Sequence, residues 1–132
     1  MVNYNLNKPI DVNQLSELRK SVGWNRIETS LRNPNLQRFF SVSAYEDDGL
    51  IGYIEVVSNG VTDAYIQDLM VHPEMQHHGI GTKLMNITIN EIKKRDIYMV
   101  SVIYGEKELK DFYEKFGFSS MLCGQMQLRD EE

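Results

Sequence analysis

Polar and apolar residues alternate from Val2 to Leu6, a spacing that predicts an opening strand ended by Pro9. The period then lengthens. Val12, Leu15, Leu18 and Val22 recur at helical spacing, Asp11 with Gln14 three residues later forms a helix-capping pair, and Gly23 closes the helix. Residues 24–37 carry a mixed pattern, in which Ile27, Leu31 and Leu36 allow a short second helix broken at Asn33-Pro34. From Phe39 the period is two. Strands are predicted at Phe39 to Tyr45, Leu50 to Val57 and Val61 to Val71, joined by turns at Glu46 to Gly49 and Ser58 to Gly60. A long helix follows from about Gly79 to Arg95, with Ile80, Leu84, Met85, Ile87, Ile89 and Ile92 in a wide apolar stripe. Ile97 to Ile103 is a near-continuous apolar run, expected of a strand covered on both faces. A helix carrying Leu109, Phe112 and Phe116 and a final strand over Met121 to Leu128 complete an α+β order with one βαβ crossover.

Composition narrows the class. The 132 residues make one domain, large enough to bury a core without disulfide or metal, and the lone Cys123 cannot form an internal bridge. No apolar run has the length of a membrane span and no leader pattern opens the chain, so a cytoplasmic protein without a membrane partner is expected. A net charge of −5 has the wrong sign for general nucleic-acid binding. It suits a cationic substrate, and it equally serves solubility.

Candidate chemistry lies where the third meander strand runs into the long helix, over Gln76-His77-His78-Gly79-Ile80-Gly81-Thr82. The first turn of a helix has unpaired N–H groups and the positive end of the helix dipole, and glycines let a phosphate approach them. The alternative is an ordinary tight connection, which the strand, the spacing and the amphipathic helix together disfavour. Thr82-Lys83 follow the glycines in the wrong order for a P-loop, and the dinucleotide G-x-G-x-x-G is absent.

Gln76-His77-His78-Gly79-Ile80-Gly81 resembles the Q/R-x-x-G-x-G/A signature of the GCN5-related N-acetyltransferases. Asp68-Leu69-Met70-Val71-His72-Pro73 is similar to that family's fourth strand and its exit, and Phe112-Tyr113-Glu114-Lys115-Phe116-Gly117-Phe118 to its C-terminal tyrosine segment. The resemblance implies the family fold: a mixed sheet of six to seven strands with about four helices, open in a V between strands 4 and 5. It implies an acetyl-CoA-dependent N-acetyltransferase acting by direct attack of an amine. Leu69, Met70 and Val71 would meet the pantetheine arm; Gln76 and the backbone of His77, His78, Gly79, Ile80, Gly81 and Thr82 would hold the pyrophosphate. Tyr113 matches the general acid, although a tyrosine merely packed beside Phe112 and Phe116 would show the same spacing. Tyr65 and Gln67 stand where family members place a base and neither can act as one, which leaves Asp68, Glu55 or a water chain. Glu106 replaces a customary asparagine. A homodimer is also implied.

His77 and His78 are adjacent, point apart and lack a third ligand, so no metal is expected. Trp24, Phe39, Tyr45, Tyr53 and Tyr65 could line an acceptor pocket or belong to the core. With no additional recognition module in these residues, a small-molecule primary amine is expected as acceptor. The alternatives are a protein lysine or N-terminus, and a non-catalytic acyl-CoA sensor or structural module on the same fold.

Overall fold

The computed structural model describes residues 1–132. Strand β1 (Val2–Leu6) is followed by α1 (Val12–Ser21), capped by Asp11, whose carboxylate accepts from the Asn13 and Gln14 N–H groups at 2.7 and 3.1 Å. Gln14 does not complete a reciprocal cap. Its amide reaches the next hairpin instead, accepting from Leu50 N–H at 2.8 Å and donating to the Asp48 carbonyl at 3.3 Å. The short α2 (Glu28–Leu31) precedes a meander of β2 (Phe40–Glu46), β3 (Gly49–Ser58) and β4 (Asp63–Val71). Positive φ at Asp47 (54°) and Gly60 (83°) makes its two turns. A 3-10 turn at Pro73–Met75 leads into α3 (Ile80–Lys94), then β5 (Met99–Val102) and α4 (Lys107–Glu114).

The five strands lie in sequence order, antiparallel throughout except for the parallel β4–β5 pair that α3 connects. On one face Ile80, Leu84, Met85 and Ile92 of α3 pack against Phe40, Val42, Ile54, Val56 and Ile66. On the other, Leu15 and Leu18 of α1 and Leu31 of α2 cover Tyr45, Leu50, Tyr53 and Met70. The meander is therefore buried on both sides. Gly52 sets the spacing of the first layer: a Cβ there would lie 3.1 Å from Leu84 Cδ1 and 3.2 Å from Ile80 Cγ2 and Ala44 Cβ. Gly52→Ala should cost about 1–3 kcal/mol by overpacking, read as a lower urea midpoint at unchanged slope.

The C-terminal expectations are corrected here. Residues 121–128 form no strand, so the sheet has five strands, not six to seven. The apolar run at 97–103 is not covered on both faces, because Met99 and Ser101 are exposed. Its Val100 and Val102 reach the α3 core, whereas the α1–α2 layer stops at β4. No helix is long and apolar enough to cross a membrane.

Candidate active site

The β4–β5 ladder runs from Asp63–Met99 to Ile66–Val102 and stops there. Past it β4 and the segment that follows β5 enclose a cavity of about 980 Å³. Residues 65–69 and Val71 of β4 line one wall and residues 102–106 the other, while the loop before α3, Leu109, Phe112 and Tyr113 close the inner end. Trp24 and Gln125 also line it.

Just past the last pair, β4 carries a bulge. Tyr53 pairs with Met70 and Glu55 with Gln67, so Ile54 alone faces both Asp68 and Leu69. Asp68 has φ 58°, a left-handed conformation that aspartate tolerates better than most residues. Parity shifts, and the adjacent Gln67 and Asp68 both line the opening. Arg19 of α1 donates to Asp68 Oδ2 at 3.0 Å. Burial pushes the Asp68 carboxyl above its ordinary pKa; Arg19 pulls the other way, and the Glu55 carboxylate adds to the rise. Glu55 itself is 3% exposed and does not reach the cavity. It is held by an ion pair with Arg38, by the Tyr53 hydroxyl at 3.0 Å and by Gln67 Nε2 at 2.9 Å.

The loop before α3 has the form the sequence indicates. His77 (φ 67°) and Gly79 (φ 80°) are left-handed, which turns the chain sharply into the helix. None of the N–H groups of residues 77–82 donates to another backbone group; the first such bond is Lys83 N–H to the Gly79 carbonyl at 3.0 Å. Those donors sit at the positive end of a 15-residue helix. A Cβ on Gly79 would meet nothing within 4 Å, and one on Gly81 would lie 3.8 Å from Val71 Cγ2 and Phe112 Cζ, both lining residues. The space over the backbone is therefore open, and a diphosphate would suit the donor set.

Of the remaining expected cofactor residues, Leu69, Val71, Gln76, Ile80 and Thr82 line the cavity as well. The Gln76 amide donates to the Val71 carbonyl at 3.0 Å, tying the loop to the end of β4. Met70 and His78 do not line it. Alternation turns Met70 into the core beneath α1, where it is 2% exposed. His78 folds back so that its Nδ1 donates to the Gln76 and Met75 carbonyls at 2.8 and 3.2 Å.

Tyr113 reaches the cavity from α4. Its ring stacks on Tyr104, with centroids 4.9 Å apart, and meets Phe112 and Phe118 edge-on. Its hydroxyl has no hydrogen-bond partner in the chain. Burial, with Tyr65 and Tyr104 nearby, pushes its pKa up to about 12, so the hydroxyl keeps its proton at neutral pH. Among the aromatic candidates, Trp24 and Tyr65 line the cavity, whereas Tyr45 and Tyr53 are core and Phe39 packs against it. The sequence did not signal Arg19, because its role depends on a helix crossing to a bulge 49 residues away.

A family model described as "Acetyltransferase (GNAT) domain" matches residues 14–130. An uncharacterized N-acetyltransferase, ycf52, of Pyropia yezoensis is 26% identical over 117 residues, covering 85% of this chain and 67% of its own. Several further curated relatives are longer still, so this chain spans about two thirds of their length or less. Among solved structures, a protein of meticillin-resistant Staphylococcus aureus described as a "Probable Acetyltransferase" superposes with a TM-score of 0.86 at 25% identity, over 98% of this chain and 100% of its own. The PaiA N-acetyltransferase of Thermoplasma acidophilum, solved in complex with coenzyme A, shares the fold with a TM-score of 0.71 at 23% identity, over 89% and 90%. With the split sheet, the glycine turn and nearly the whole length matched, the chain belongs to the GNAT acetyltransferase family.

Proposed function

We propose that this chain transfers an acetyl group from acetyl-CoA to a primary amine. The observation that carries the reading is the row of unpaired N–H groups over residues 77–82, opening into a cavity that also holds Tyr113 and Asp68. Those N–H groups hold the pyrophosphate, and Leu69 and Val71, beyond the last β4–β5 pair, offer backbone groups to the pantetheine arm. The thioester supplies an activated acetyl carbon. An alkylammonium must lose a proton before its nitrogen can attack. Asp68 takes that proton, its raised pKa bringing it closer to the task than an ordinary carboxylate. As the new C–N bond forms and the C–S bond breaks, the electron pair leaves with sulfur, and the Tyr113 hydroxyl gives its proton to the thiolate. The second proton on the acylated nitrogen passes through water to the Tyr113 phenolate, and solvent removes the first from Asp68.

A small cationic amine fits the carboxylate and the aromatic lining of Trp24 and Tyr65. A protein acceptor is the second reading, favoured by relatives named for one: a histone acetyltransferase of Glycine max and a ribosomal-protein-S18-alanine N-acetyltransferase of Escherichia coli.

Calorimetry with acetyl-CoA, followed by thiol release across amines and lysine or N-terminal peptides, tests the reading. Micromolar binding with amine-dependent release supports transfer; tight binding without release identifies an acyl-CoA sensor, and no binding overturns the site. Asp68→Asn should lower kcat/KM about tenfold for an alkylamine, with water as a weaker base, and far less for an aromatic amine already neutral at pH 7. A protonated Asp68 accepts nothing, so activity should fall as pH drops through its raised pKa. That acid limb should vanish in the variant; an unchanged profile removes Asp68 as base.

A further inference from the structure

Glu55 is a carboxylate in the core, and no step of the acetyl transfer uses it directly. Continued from the Tyr53–Met70 pair without interruption, the β3–β4 register would set it opposite Asp68, carboxylate against carboxylate. The extra residue in the β4 bulge moves the register by one and sets Gln67 there instead. Three side chains donate to Glu55. Arg38 and the Tyr53 hydroxyl give to Oε2, and Gln67 Nε2 gives to Oε1 at 2.9 Å. Burial and the neighbouring carboxylate push the Tyr53 pKa up, which keeps that hydroxyl a donor. A carboxylate has no proton to offer a carbonyl, so it admits the Gln67 amide in one orientation only. With its nitrogen turned to Glu55, the amide turns its oxygen away, and no group of the chain donates to that oxygen. Gln67 lines the cavity beside Asp68.

We propose that Glu55 is a positioning residue, which holds Gln67 so that its carbonyl oxygen accepts an N–H of the acceptor amine. Given the acetyl-transfer reading, on which this rests, the amine meets two acceptors on adjacent residues. Asp68 takes one proton, and Gln67 Oε1 binds a second N–H without removing it. Held at both, the nitrogen is not free to turn, and its lone pair has a fixed direction when the first proton leaves. An alcohol has one hydrogen and could satisfy only one of the two acceptors, so the pair selects nitrogen over oxygen.

Steady-state kinetics test this, with the alkylamine that gives the fastest thiol release, at about pH 9, where Asp68 is ionised. Gln67→Met, similar in length but without the acceptor, should raise KM for the amine about tenfold, the loss of one hydrogen bond from a charged donor. KM for acetyl-CoA should not change. Glu55→Gln lets the Gln67 amide turn over and should raise the amine KM about fivefold, with acetyl-CoA again unaffected. Added to Gln67→Met, it should raise the amine KM no further, because Glu55 acts on the amine through Gln67. Glu55→Gln/Arg38→Gln, which leaves no buried charge unpaired, serves in its place if the single variant does not fold. An amine KM unchanged by either single substitution overturns the role of Glu55, as does a further rise in the combined variant. Acetyl transfer by the wild-type chain leaves the proposed function standing in both cases. A wild-type chain that transfers nothing removes that function, and the role of Glu55 with it.

Discussion

Gly79→Glu should lose about a thousandfold in acetyl-CoA affinity. A unit charge about 4 Å from a phosphate charge costs roughly 4 kcal/mol at the effective dielectric of a protein surface, and about 1.4 kcal/mol is a factor of ten. The side chain has room, since a Cβ at Gly79 meets nothing within 4 Å, so repulsion is not confounded by collision. Strain is the competing cause, because φ is 80° there and a residue with a Cβ pays about 1–2 kcal/mol in that conformation. Gly79→Asn separates the two: asparagine visits left-handed backbone readily and adds no charge. Calorimetry on both variants, with circular dichroism to verify folding, should find the asparagine variant within about tenfold of wild type. Equal losses in both would attribute the effect to backbone geometry. Wild-type affinity in the glutamate variant would remove the loop from the cofactor site.

Tyr113→Phe should reduce kcat about a hundredfold while leaving KM for acetyl-CoA nearly unchanged, the pattern of a group acting only in the transition state. The ring is where the packing lies, against Tyr104, Phe112 and Phe118, and phenylalanine keeps it. The hydroxyl has no partner to lose, so stability should change by less than about 1 kcal/mol in urea. The pKa near 12 fixes the sign of the pH dependence. Tyr113 stays protonated and competent across the neutral and mildly alkaline range, so it creates no alkaline limb below about pH 10. Raised above its unfolded value, it favours folding below pH 10, a contribution lost as pH rises through 12. An unchanged kcat would make Tyr113 a packing residue and leave the thiolate to be protonated by solvent.

The meander and the glycine turn were legible because each rests on local chemistry. Alternation gave β2, β3 and β4 within a few residues, and the spacing of Gln76, Gly79 and Gly81 marked the start of α3. Asp68 was harder. Its direction depends on a bulge created jointly by β3 and β4, so counting along β4 alone turns it the wrong way. Gln14 shows the same limit: three residues after Asp11 it fits a cap, but the hairpin at Asp48 and Leu50 offers its amide better partners. Met70 is separated from the site by the α1 layer that covers it, and Glu55 by its ion pair with Arg38, both tertiary facts. The segment 121–128 has the composition of a strand and no neighbour within its own chain to make it one.

The early end of the β4–β5 ladder also bears on how the fold comes apart. β5 is four residues long and pairs on one side only, so it belongs to the part of the sheet that opens most easily. A cofactor bound between β4 and β5 would occupy the split and would have to leave before that edge could detach. At a hundredfold excess over its dissociation constant, such a ligand adds about 2.7 kcal/mol against unfolding. Resistance to heat and proteolysis would then follow the supply of acetylated cofactor, making the lifetime of the protein a function of metabolic state.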